Sequence, residues 1–165
     1  MEEENRSLTP KVFMRNINTI YMVLFMSMMV FGSFTLFNTV AWDADFPPSE
    51  DVFLIIVPII FFIGVVLGRI LYKRKLDNLA NVSLLKDKLQ GLKTALIIKF
   101  ALVEGPFLIG LVAAFSTSNI FYMMSSGTLV MYFLTLKPTK SKIIKDLDLN
   151  KELILQFNDD NQILN

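Results

Sequence analysis

Thr94 to Phe115 reads TALIIKFALVEGPFLIGLVAAF. A helix that spans a bilayer takes about 20 mostly apolar residues, and this run satisfies that length. Glu104 sits near its midpoint, roughly 16 Å of helix rise beyond Lys93. Even on the lenient insertion scale, a carboxylate at the centre of such a helix costs about 2.5–3.5 kcal/mol. The stretch therefore predicts a membrane helix that carries one expensive acid.

The rest of the chain agrees with a membrane setting. Of its 165 residues, 53% are hydrophobic, more than a water-soluble domain of this size usually carries. The net charge of +1 leaves no electrostatic footprint for nucleic acid. The sequence contains neither cysteine nor histidine. That excludes disulfides, iron–sulfur clusters, His- or Cys-ligated haem and the usual zinc and copper sites. Ser-His and Cys-His catalysis fall with them. No cofactor or metal is expected, and no enzyme.

Read outward from Glu104, the pattern predicts four spans. Residues 1–16 are a polar arm opening on Glu2-Glu3-Glu4, frayed or lying at the interface. Residues 17–41 form the first span, rich in Met and Phe. They exceed the 7–15 apolar residues of a signal peptide, and the methionines read as soft packing rather than a metal site. Asn38 near its outer end reads as an interhelical or interfacial group. In the 43–51 loop, Pro47-Pro48 marks a turn and Ser49 is a candidate N-cap, with no calcium-loop spacing. Residues 52–72 form the second span, with Pro58, the pair Gly64 and Gly68 in a GxxxG, and Arg69 one turn inside the boundary.

Residues 73–93 read as a basic connector with a short amphipathic surface helix, because Leu76, Leu79, Ala80, Leu84, Leu85 and Leu89 recur at near-helical spacing. Residues 94–115 are the third span and 120–136 the fourth. The latter carries a small polar patch, Ser125-Ser126-Gly127-Thr128, of the kind that packs helices. Residues 137–165 are a tail in which Asn150 is a candidate helix cap, with 158–165 polar and mobile. The fold class is all-α: a polytopic membrane protein of four transmembrane helices in two antiparallel hairpins, with short cytosolic amphipathic segments. By this layout all 16 Lys and Arg fall at one end, and the two opposite loops hold none, their charges being Asp43, Asp45, Glu50 and Asp51. The positive-inside rule then puts both termini in the cytosol and the protein in the cell inner, or plasma, membrane.

Three fates are open to Glu104. It stays protonated and hydrogen-bonded, it pairs with a cation, or it binds and releases a proton or cationic ligand. Lys99 is a poor partner, because five residues of helix turn the two side chains about 140° apart. Arg69, approaching from the same leaflet, is the better candidate; the alternative for it is a snorkelling anchor. Pro106 frees the carbonyl of Leu102, which lies roughly 200° around the helix from Glu104. Gly64, Gly68, Gly105 and Gly110 are the candidate helix-packing positions.

The run Ala101-Leu-Val-Glu104-Gly-Pro-Phe-Leu-Ile-Gly110-Leu-Val-Ala-Ala-Phe115 resembles the carboxylate helix of rotary ATP synthase proteolipid subunits. That resemblance implies a proton- or sodium-binding role for Glu104. The chain departs from the family in lacking a dense glycine ladder and in having a long, Lys-rich polar loop and two extra spans. The whole chain also resembles small uncharacterised four-span bacterial inner-membrane proteins. Their third span carries an A-L-x-E-G element, and their tail pattern is met here by Pro138-Thr139, Lys142-Ile143 and Asp146-Leu147. No activity comes with that likeness. The leading functional expectation is a non-enzymatic structural or accessory subunit with a Glu104–Arg69 contact. The alternative is an oligomeric proton-coupled transporter or a proteolipid-like subunit using Glu104. The expected partners are the lipid bilayer and either a homo-oligomer or a larger membrane complex.

Overall fold

A computed structural model describes residues 8–39, 41–44 and 52–164. The elements among them are helices: α1 (Pro10–Asn38), α2 (Phe53–Leu79), α3 (Leu85–Thr117), α4 (Ile120–Thr135), α5 (Lys140–Asp146) and α6 (Lys151–Asn158). The loop features placed at Pro47-Pro48 and Ser49, and the acidic opening at residues 2–4, lie outside the described residues.

Three helices, α1, α2 and α3, are long and apolar enough to cross a membrane. Their outward faces carry side chains that water would not tolerate in such number: Phe37 is 81% exposed and Phe62 71%, with Val30, Phe34 and Ile55 beside them. A surface that is apolar over most of three long helices marks a membrane protein. The fourth apolar helix is shorter, at 16 residues.

α3 is the axis of the molecule, packing against α1, α2 and α4. It supplies the largest share of the core, from Leu89 through Phe100 and Val103 to Phe107 and Leu111. Around it, Tyr21 of α1 stacks on Phe133 of α4 with centroids 5.0 Å apart and meets Phe100 of α3 edge-on at 5.6 Å. At the other end, Asp43 bridges to the α3–α4 turn: its N–H donates to the Ser118 carbonyl (2.8 Å), and its carbonyl accepts from Ile120 N–H (2.9 Å). Ser118 makes that turn in the left-handed region, with φ 54°, and Asn119 caps α4 through Phe121 N–H.

The connector departs from expectation. There is no separate surface helix over 73–93. α2 runs on to Leu79 and α3 already begins at Leu85, so basic and leucine-bearing residues sit on continuations of the two long helices. Most of the leucines that suggested a surface helix find cover instead, while Leu84 stays 53% exposed. Leu85, Leu89 and Leu92 are buried in one cluster with Ile143, Leu147, Leu149, Phe157 and Leu164 of the tail, and Leu76 and Leu79 pack against it. Lys88, only 5% exposed, closes the end of α2 by donating to the carbonyls of Leu79 (2.7 Å) and Ala80 (3.3 Å).

Residues 8–16 and 158–164 are better anchored than their polar sequence implies. Thr9 caps α1, which starts at Pro10, and Phe13 is buried. The 158–165 stretch was expected to be mobile. Leu164 is instead 4% exposed, and its N–H donates to the Leu8 carbonyl at 2.9 Å. Asn150 caps α6 through Leu153 N–H.

Candidate functional site

Glu104 faces α1. Its carboxyl Oε1 is in hydrogen-bonding contact with Ser27 Oγ, and both residues are half-buried. The same Ser27 Oγ lies 2.8 Å from the carbonyl of Leu24, one turn back on its own helix. A hydroxyl carries one proton, so Ser27 cannot donate to both oxygens at once. If Glu104 holds a proton, the arrangement closes: the carboxyl donates to Ser27, and Ser27 donates to Leu24.

The expected Glu104–Arg69 pair does not form. Arg69 is exposed on α2, where its Nε donates to Tyr132 Oη (3.3 Å) and its guanidinium lies 5.5 Å from the centre of that ring. Among the described residues the ion pair formed is Lys140–Asp160, far along the chain. The physical reason is one of faces. Gly64 and Gly68 turn α2 toward the Leu102 side of α3, whereas Glu104 sits on the side turned to α1. The helix geometry around Glu104 holds. Lys99 points elsewhere, with its Nζ 4.0 Å above the Tyr72 ring, and the Leu102 carbonyl lies against α2.

The glycines divide. A Cβ on Gly64 would come within 2.5 Å of both the Leu102 carbonyl oxygen and Pro106 Cγ. Here α2 touches α3 at the carbonyl that Pro106, having no N–H, leaves unbonded within the helix. Gly68 borders Leu102 and Lys99 at ordinary distances, and Gly110 faces Ser126 and Phe61. Gly105 and Gly127 have nothing within 4 Å, so neither is a packing position. Of the polar patch on α4 only Ser126 is buried; Ser125 and Thr128 bond back to their own helix, as does Asn38 on α1.

Ser27 was not singled out from the sequence. One signal was available: it is a hydroxyl near the middle of the first apolar run, at about the depth of Glu104. A second polar group, also unforeseen, gathers where α2, α3 and α4 meet α5. Tyr72 Oη donates to Asp146 Oδ2 at 2.7 Å, and Lys142 Nζ donates to the carbonyls of Thr135 (2.8 Å) and Lys137 (3.1 Å). No group of His, Cys, Asp and Glu suited to a metal ion occurs among the described residues.

Comparison with family models, with curated proteins and with solved structures finds no match for this chain. Its function is therefore read from its own residues.

Proposed function

We propose that this chain is a non-enzymatic inner-membrane protein, a structural or accessory subunit in which a neutral Glu104 fixes the seat of α1 on α3. The observation that carries the reading is the chain of contacts from Glu104 through Ser27 to the Leu24 carbonyl. A protonated carboxyl satisfies every atom in it, and a neutral hydrogen bond is far less costly in lipid than a charge. The four-span layout with cytosolic termini has separate support. Basic residues cluster at one end, and Gly64 and Gly68 meet α3 in an order consistent with α2 and α3 crossing in opposite directions. α4 rises about 24 Å, short of the roughly 30 Å hydrocarbon core, and local thinning of the bilayer accommodates that difference.

The test is Glu104→Gln beside Glu104→Leu, read by unfolding in mild detergent and by infrared spectroscopy. Glutamine also offers a donor to Ser27, so Glu104→Gln keeps close to native stability. Glu104→Leu removes the hydrogen bond that Ser27 accepts, while Ser27 still donates to Leu24, and loses about 1 kcal/mol. The infrared band of a protonated carboxyl should vanish in Glu104→Gln; a native spectrum with no such band, or a carboxylate band that Glu104→Gln diminishes, would refute the neutral-donor reading.

One observation favours the proton-exchanging alternative. Glu104 is only half-buried, and the space beside Gly105 is open, which leaves a route for a proton or a neighbouring copy. Proteoliposomes that dissipate a pH gradient, and cease to do so with a well-folded Glu104→Gln, would establish that role instead.

A further inference from the structure

Lys99, Lys142 and Lys145 converge with Tyr72, Thr135 and Asp146 on a cavity of about 280 Å³ at the junction of α2, α3 and α4 with α5. Three lysines and one aspartate line it, and Arg69 adds its charge to those of Asp146 and Lys142 around Lys99. None of the three lysines makes an ion pair with any described carboxylate. Asp146 gives one oxygen to the Tyr72 hydroxyl. Lys142 uses two of its three donors on the carbonyls at the end of α4 and keeps one. Lys99 lies over the face of Tyr72 and meets no hydrogen-bond acceptor among the described residues, although it is partly buried. Such a cation–π contact offsets part of the desolvation of an ammonium group but supplies no hydrogen-bond acceptor. The cavity thus presents excess positive charge and unused donors, the chemistry that recognises a phosphate.

We infer that this cavity binds the phosphate of an anionic phospholipid headgroup. It lies at the end of the apolar part of α2 and beside the Leu136–Pro138 exit of α4, the depth at which headgroups reside if the basic end faces the cytosol. The lipid source rests on that membrane placement; the affinity for phosphate does not, and the two arms below separate them.

The experiment follows the thermal unfolding midpoint of the full chain in uncharged detergent against added phosphatidylglycerol, phosphatidylcholine or inorganic phosphate. The midpoint rises with phosphatidylglycerol and not with phosphatidylcholine. Lys99→Gln and Lys145→Gln each weaken the apparent affinity about tenfold or more, the loss expected for one charge-assisted hydrogen bond. Lys99→Arg, which keeps the charge, retains most of the rise, and so does the Lys73→Gln, Lys75→Gln control. Lys145 is exposed, so its variant gives the reading even if Lys99→Gln does not fold. A rise with inorganic phosphate alone, lost in Lys145→Gln, supports the phosphate site with a soluble anion as its source. No rise with either phosphate source, or an equal loss in the Lys73 and Lys75 control, overturns the inference.

Discussion

Gly64→Ala adds one methyl group at the tightest point between α2 and α3. The new Cβ would stand 2.5 Å from the Leu102 carbonyl oxygen and from Pro106 Cγ, against 3.4 Å or more in ordinary contact. Neither neighbour can swing away: one is backbone and the other a ring locked in a helix. The two helices must therefore part by something near 1 Å or repack, and overpacking of this kind costs about 1–3 kcal/mol. Alanine also gains up to about 1 kcal/mol over glycine in helix propensity, which masks part of the loss. Gly105→Ala removes that ambiguity. It is the same change inside a helix, but with nothing within 4 Å of the new atom. The difference between the two variants then isolates the clash, at about 1–3 kcal/mol, with Gly105→Ala equal to or more stable than the native chain. Gly68→Ala, whose nearest neighbours are at 3.6 and 3.8 Å, should resemble Gly105→Ala. Reversible unfolding in mixed detergent micelles gives the comparison. Gly64→Ala as stable as Gly105→Ala would show that α2 does not seat on the Leu102 carbonyl.

Ser27→Ala leaves the Glu104 carboxyl without its partner and should cost about 1–3 kcal/mol, while combining it with Glu104→Leu should cost less than the sum of the two single changes; strict additivity in that double-mutant cycle would break the pairing. Lys88→Met strips the carbonyls of Leu79 and Ala80 of their donor, so the 80–84 turn should open to limited proteolysis faster than in the native protein, and unchanged cleavage would mean that the cap is dispensable. The hydrogen bond from Lys140 holds the Asp160 carboxyl below its ordinary value of 3.8. A carboxyl depressed in the folded state contributes stability above its unfolded value and loses it as pH falls through the folded one, so the contribution is present at neutral pH and fades under acid conditions. An NMR titration should move the Asp160 midpoint upward in Lys140→Gln and in high salt, and an unmoved midpoint would dissociate the pair.

What the chain determined by itself is what depends on neighbours in sequence. The apolar runs that became α1, α2 and α3, the helix ends at Asn150 and around 116–119, and the angular relation of Lys99, Leu102 and Glu104 on one helix all follow from length, local capping and a fixed 100° step. Which helix each face of α3 meets does not follow from these. Ser27 lies 77 positions from Glu104, and only packing decides that α1 rather than Arg69 receives the carboxyl. The glycines show the same division. The sequence marks Gly64, Gly68, Gly105 and Gly110 alike, and the fold gives Gly64 a carbonyl, Gly110 a serine and Gly105 open space. At the basic end, the leucine spacing between residues 76 and 89 was legible but its consequence was not. An apolar stripe outside a membrane can lie on lipid or be covered by protein. Here α5, α6 and Leu164 cover it, because the tail supplies a matching apolar face close enough to bury it.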